Sequence, residues 1–259
     1  MKVVVLAGGR GSRLSEETDV KPKPMVEIGG QPILWHIMMY YSQFGFNEFV
    51  IALGYRSEYV RRWMKKYLSS NNVEVGTGKG STLFQNRNGQ SQTAWTVNLV
   101  DTGKDTLTGG RIKRLAPWLG NETFMLTWCD AVADVNINAL LAFHRSHGRL
   151  ATVTAVQPPP RFGHLVLDGD VVKRFKEKSR DFEGWINGAY FVLEPEVFDY
   201  IEGDMTQWEE EPMERLANEG QLMAYKHNGF WQCMDTIHEK EQLEKLWKGN
   251  VAPWNIWKH

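Results

Sequence analysis

MKVVVLAGGRGSRLSEETDVKPKPM, residues 1–25, decides how the rest of the chain is read. Val3 to Ala7 is a short apolar run of β-forming residues, and Gly8-Gly9-Arg10-Gly11 follows it at once. A strand that breaks into glycines at its carboxyl end suits a parallel α/β sheet, which keeps its ligand beyond the strand ends. Glycines there let the backbone approach a phosphate chain with its N–H groups turned toward it. A dinucleotide turn would read Gly-x-Gly-x-x-Gly, with an acid closing the second strand. Here Gly9-x-Gly11 runs on to Leu14, and the second strand ends Ala52-Leu53-Gly54. The Gly-Lys-Ser/Thr of a Walker loop is missing too. On the glycines alone, a tight structural turn competes with a phosphate loop. Arg13 and Lys23 separate the two readings, because both cations could reach a bound triphosphate. Pro22 and Pro24 fix the backbone on either side of Lys23, which lowers the entropy lost in placing it. Hydride transfer has no use for that pair of cations; displacement of pyrophosphate does.

Outward from this stretch, strand-like runs alternate with helical periodicity. Residues 32–45, 57–68, 108–119 and 136–148 have helical spacing, and 49–54, 95–103 and 123–130 read as strands. The alternation predicts an α/β protein with a Rossmann-like mixed, mostly parallel sheet flanked by helices. After residue 150 the pattern turns β-rich, with strands at 151–157, 164–170, 171–178 and 186–193 and a hairpin turn at Asp168-Gly169-Asp170. Pro195 reads as a helix start, and helices are expected at 209–220 and 238–249. No linker-like shift separates the halves, so 1–259 is expected to be a single domain. The polar, glycine-rich segment 76–93 reads as a long loop, either mobile or functional.

Composition excludes several classes. Among 259 residues the formal net charge is −1, which leaves no bulk field for nucleic acid or a membrane surface. No apolar run approaches the ~20 residues of a membrane span. Two cysteines do not make a disulfide framework, and a reducing cytoplasm is the expected compartment. The 11 tryptophans read first as packing, and the aromatic end VAPWNIWKH (251–259) is expected to dock on the body or on a partner.

Gly8-Gly9-x-Gly11-x-Arg13-Leu14, Lys21-Pro22-Lys23-Pro24-Met25 and Pro32-Ile33-Leu34 resemble the signature of the sugar-1-phosphate nucleotidylyltransferases. The likeness continues through Asp101-Thr102-Gly103, Thr108-Gly109-Gly110-Arg111, Asp130, Arg161-Phe162-Gly163, Glu177-Lys178, Asn187-Gly188, Trp208-Glu209 and Phe230 to Asp235. It is similar above all to the branch acting on CTP and glucose 1-phosphate. The resemblance implies a homo-oligomer whose Mg²⁺ is held by Asp130 and Asp235, with Arg13, Lys23 and Asp130 in catalytic roles. It puts the nucleotide at Leu6, Ala7, Gly8, Gly9, Gly11, Arg13, Lys23, Thr108, Gly109, Gly110 and Arg111. Lys178 would take the sugar phosphate, Glu177 the sugar hydroxyls, and Asn187, Gly188 and Trp208 would also meet the sugar. Residues 1–135 would then be mainly the nucleotide half, and 136–259 a smaller, β-rich sugar-binding half with the C-terminal helix. The choice of cytosine over uracil comes from the resemblance, not from the residues.

Three departures crowd the acceptor side. The family commonly has Tyr-Gly-Asp-Gly where this chain has Trp128-Cys129-Asp130-Ala131, Pro where it has Ser179, and Gly where it has Ala189. Other readings stay open: another nucleotide or sugar phosphate, a non-catalytic nucleotide-sugar-binding regulator, and, more remotely, a dehydrogenase. Asp134-x-Asn136 reads as helix capping, Cys129 and Cys233 as buried and inert, and His144 and His147 as helix-surface residues.

Overall fold

The computed structural model describes residues 1–9, 21–69, 73–78, 81–86, 95–158, 163–177 and 184–257. The first half holds β1 (Lys2–Leu6), a short hairpin of β2 (Glu27–Ile28) and β3 (Gln31–Pro32), α1 (Ile33–Gln43), β4 (Glu48–Leu53) and α2 (Ser57–Ser69). β5 (Val73–Gly78), β6 (Ser81–Asn86) and β7 (Thr96–Asp101) come next, then α3 (Thr108–Arg114), α4 (Ala116–Leu119), β8 (Phe124–Trp128), β9 (Ala131–Ala133) and α5 (Ile137–His147). The second half holds β10 (Ala151–Val156), β11 (His164–Asp168), β12 (Val171–Lys176), β13 (Ile186–Leu193), α6 (Glu211–Asn218), β14 (Leu222–His227), β15 (Trp231–Cys233) and α7 (Ile237–Lys248).

Among the described residues, nine strands form one sheet in the order β14-β10-β13-β8-β1-β4-β7-β6-β5. Only β13 and β6 run against the other seven, so the expected mixed, mostly parallel sheet is present. Alternate side chains of a strand face opposite sides, and β1 shows this directly. Val3 and Val5 pack toward α1, α2 and α5. Val4 and Leu6 pack toward α3, α4 and α6. Both faces are therefore covered, and the carboxyl ends of β1, β4, β7 and β8 lie along one edge.

Several local expectations change. Segment 76–93 is not one long loop: residues 76–78 and 81–86 belong to the β5–β6 hairpin, which pairs with the free edge of β7. Edge pairing outweighs the poor strand propensity of Gly76 and Gly78. The helix expected over 108–119 breaks into α3 and α4 at Leu115, with Pro117 in the first turn of α4. Pro195 starts a 3-10 helix, Pro195–Tyr200. β11 and β12 form the predicted hairpin, separate from the main sheet.

His144 overturns its expectation, being buried at 2% exposure. It lies on the apolar stripe of α5 with Ile137, Leu140 and Leu141, at the i, i+3, i+4, i+7 spacing of a core-facing face. Its ring nitrogens meet Thr152 Oγ1 at 2.8 Å and Glu194 at 3.0 Å. Capping of α5 falls to Asn136, whose side chain accepts from Ala139 N at 2.9 Å. Asp134 instead accepts from Phe230 N at 2.7 Å and pairs with His227 at 2.9 Å.

The C-terminal aromatic segment docks on the body. Trp254 is 1% exposed, and its indole N–H donates to His36 Nδ1 at 3.3 Å. Trp247 and Trp254 stack, and Trp35 meets Trp247 edge-on and Trp257 meets it tilted, all around His36.

Candidate active site

Asp130 and Asp235 are far apart in sequence, and a two-strand pairing brings them together. β9 and β15 run antiparallel with Ala131 opposite Cys233, and Met234 N donates to Asp130 O at 2.7 Å. Asp130 precedes one strand and Asp235 follows the other, so both fall at the same end of the pair. Asp235 is held further by α7. Thr236 caps that helix, and the buried Glu239 carboxylate accepts from Asp235 N at 2.8 Å and Thr236 N at 3.0 Å. Thr236-x-x-Glu239 is a capping box, a pattern legible in the sequence.

Lys23 completes the cluster. Residues 23–25 form a 3-10 turn with Pro24 and Met25 buried, which anchors the backbone under the lysine. The Lys23 ammonium donates to Asp235 Oδ1 in a short contact and to Asp130 Oδ2 at 3.3 Å. Burial works against its charged form, but Asp130 and Asp235 outweigh burial and hold its pKa above the ordinary value. Two carboxylates converging on one ammonium are an oxygen donor set that Mg²⁺ fits, since that ion takes one or two carboxylates and fills its sphere with water and phosphate oxygens. Among the described residues no group of three or more His, Cys, Asp or Glu side chains gathers for a metal. A bound ion would thus rely on substrate and water for its other ligands.

The cluster opens into a cavity of about 280 Å³ between the ends of β1 and β8 and the start of α3. Leu6, Ala7, Gly8, Gly9, Lys23, Thr108, Arg111 and Asp130, all expected at the site, line it. Trp128, Cys129, Thr106, Leu107 and Gln207 line it as well. The buried Cys129 thiol is pushed well up by burial and then by Asp130, and Cys233 donates to Glu239.

Arg111 has a specific task. Its guanidinium donates to Gly8 O at 3.1 Å, Leu53 O at 3.2 Å, and Thr102 Oγ1 and Gly103 O at 2.8 Å each. One side chain thus ties together the loops after β1, β4 and β7. A Cβ on Gly8 would lie 2.3 Å from its Nη1, and one on Gly54 2.4 Å away. Both glycines make room for this cation. Burial lowers its pKa, with Asp101 and Asp105 opposing.

Gly109 and Gly110 do not line the cavity. Built Cβ atoms there would sit 2.8 Å from Thr206 O and 2.4 Å from Asp204 O. These glycines let α3 lie against the 203–206 backbone, where Gly110 N donates to Thr206 O at 3.2 Å. Trp208 is likewise displaced from its expected place. It is fully buried, edge-on to Phe191, so in this structure its indole packs the core and has no face to offer a sugar. Its neighbour Glu209 instead holds two residues of the cavity wall, accepting from Trp128 Nε1 at 2.8 Å and from the Thr108 hydroxyl. The resemblance named Trp208-Glu209 as a pair, but nothing local says which of two adjacent residues turns inward.

Asn187 and Gly188 lie near the start of β13, next to the end of β10; Asn187 is exposed and Gly188 is buried. Asn187 Oδ1 accepts from Ala189 N at 2.8 Å, and Gly188 O accepts from Trp231 Nε1 at 2.8 Å. Glu177 is exposed beside Gly163. Gly11, Arg13 and Lys178 lie outside the described residues.

The family model "Nucleotidyl transferase" matches residues 2–237. The chain is 47% identical to the glucose-1-phosphate cytidylyltransferase of Salmonella typhi, over 99% of this chain and 100% of that protein. It is 41% identical to a probable glucose-1-phosphate cytidylyltransferase of Bacillus subtilis (strain 168), over 99% and 100%. Among solved structures, HddC from Yersinia pseudotuberculosis superposes with a TM-score of 0.69 at 22% identity, covering 95% of this chain and 99% of that one.

Proposed function

The chain belongs to the nucleotidyl transferase family, and we infer that it converts CTP and α-D-glucose 1-phosphate to CDP-glucose and pyrophosphate. The observation that carries the chemistry is the meeting of Lys23, Asp130 and Asp235 at one end of a cavity lined by the glycine turn. The substrate pair rests on the full-length likeness to cytidylyltransferases.

A phosphate oxygen of glucose 1-phosphate is already anionic, so no general base is needed. It attacks the α-phosphorus of CTP; the new O–P bond forms as the bond from that phosphorus to the β-phosphate's bridging oxygen breaks. Pyrophosphate leaves with the electron pair. Alignment and charge neutralisation then supply the rate. Gly8 and Gly9 bring their backbone to the phosphates. Lys23 exchanges its carboxylate partners for triphosphate oxygens when nucleotide binds, which opens both carboxylates to the metal. Mg²⁺ held by Asp130 and Asp235 would act as a Lewis acid on the phosphoryl oxygens. Arg13 would add positive charge at the triphosphate, and Lys178 with Glu177, Asn187 and Gly188 would receive the sugar phosphate.

The test is pyrophosphate release with Mg²⁺ and glucose 1-phosphate, offering CTP, UTP, dTTP and ATP in parallel. CTP is expected to support turnover, with Asp130→Asn and Lys23→Ala each lowering kcat by about 100-fold or more, the scale of one lost charge-stabilising group. Turnover with another nucleotide alone would discard the cytidylyl assignment and keep the reaction class.

A homo-oligomer is part of this proposal. The β11–β12 hairpin exposes Leu165 (55%), Leu167 (59%), Val171 (59%) and Phe175 (62%), and a lone two-stranded hairpin is marginal in water. Light scattering would give the mass, and Phe175→Asp should reduce it.

A further inference from the structure

We propose that Trp128, held by Glu209, gauges the sugar acceptor at this site, with Glu209 as the positioning residue behind it. The inference rests on the sugar-phosphate acceptor read above.

Trp128 ends β8, two residues before Asp130. On one side β8 pairs with β1, and Leu6 is the register partner of Trp128. On the other side it pairs with β13, the strand that carries Asn187 and Gly188 near its start. The indole thus stands at the seam between the strand carrying the glycine turn and the strand facing the acceptor.

Two anchors hold it there. Phe191, fully buried, meets the ring at 5.0 Å with planes 43° apart and blocks retreat into the core. Glu209 takes the indole N–H at 2.8 Å with one carboxylate oxygen, and its other oxygen accepts from the Thr108 hydroxyl. Thr108 Oγ1 accepts from Trp208 N at 2.9 Å, so the clamp is tied to the backbone of a residue whose side chain is locked in the core. Glu209 therefore bridges the first turn of α3 to the end of β8 from behind the cavity wall. Glu209 itself does not line that cavity, whereas Trp128 and Thr108 do.

An indole whose polar group is satisfied by Glu209 offers the acceptor a hydrocarbon wall. That surface suits the C–H face of an unsubstituted hexose and offers a bulky substituent neither space nor a hydrogen-bond partner. Rigidity makes the wall selective, because a side chain free to swing would yield to the larger acceptor. A size mismatch at a firm apolar wall discriminates by about 10–200-fold.

The test compares kcat/KM for glucose 1-phosphate and N-acetylglucosamine 1-phosphate with CTP, in the full chain and in Trp128→Phe, Glu209→Ala, Glu209→Gln and the Trp128→Phe/Glu209→Ala double variant. Wild type should prefer glucose 1-phosphate. Trp128→Phe and Glu209→Ala should each lower that preference by about 10-fold or more. Glu209→Gln should keep the preference, because its amide oxygen still accepts from the indole and its NH₂ can donate to Thr108. The double variant should relax no further than Trp128→Phe, since Glu209 acts through the indole. Equal losses on both acceptors in Glu209→Ala, with the preference unchanged, would overturn the proposal and leave the clamp purely structural. Additive relaxation in the double variant would overturn the positioning role. Wild-type turnover of glucose 1-phosphate with CTP is the control, and its absence would count against the underlying reading.

Discussion

Ala189 takes a φ of +65° inside β13, where pairing with β10 shifts register between Val153 and Ala155. A left-handed backbone costs a residue with a Cβ about 1–2 kcal/mol, and glycine avoids that strain at some cost in unfolded-state entropy. Ala189→Gly should therefore stabilise the fold by about 0.5–1 kcal/mol, read from the urea midpoint at constant slope. Ala189 lies two residues after Asn187, which receives its N–H, so the strain sits beside an expected sugar contact. At this scale Lys23, Asp130 and Asp235 were legible in the sequence, because their motifs are long and ordered. The duties of individual glycines and tryptophans were not. Gly8, Gly54, Gly109 and Gly110 are small for the sake of Arg111 and the 203–206 backbone, neighbours brought close by folding.

The cavity wall at the element scale is a pair of stitched segments. α3 and residues 203–206 are joined by Leu107 N to Asp204 O at 2.8 Å, Gly110 N to Thr206 O at 3.2 Å, and an Arg114–Asp204 ion pair at 2.6 Å. A Cβ at Gly110 would meet the Asp204 Cα at 2.5 Å, backbone that cannot rotate away. Gly110→Ala should destabilise by about 1–3 kcal/mol through overpacking, and should raise KM as Thr108 and Glu209 move apart. A thermal melt and steady-state kinetics on one sample check both. Strand and helix order was legible here because alternating apolar runs are a local signal. The break between α3 and α4 and the β5–β6 hairpin were not, since Pro117 and sheet-edge pairing overrode the local pattern.

For the whole molecule, the C-terminal segment closes the fold on His36, and this makes stability depend on pH. His36 Nε2 donates to Ile28 O at 2.8 Å and Nδ1 accepts from Trp254, which fixes the neutral tautomer. Burial depresses its pKa from 6.5 to about 4, with its backbone hydrogen bonds opposing. Between those values the unfolded chain binds the proton and the folded chain does not, so stability falls as pH falls from 6.5 and levels off below about 4. The full loss is about 3 kcal/mol. Burial lowers His144 as well, in the same direction despite Glu194. Urea midpoints at pH 7 and pH 4.5 should show the loss, and His36→Gln should flatten the slope. A slope unchanged in that variant would assign the acid sensitivity elsewhere.

By itself the sequence determined the α/β class, and its resemblance to a known family pointed to Lys23, Asp130 and Asp235. The class is written in local patterning, and the three residues stand in long, ordered motifs. Only the tertiary structure decided which carboxylates meet, through β9 and β15, and that Trp128 faces the cavity while Trp208 fills the core. Contact between distant segments and burial on one face of a sheet are properties of packing, and no stretch of chain carries them alone.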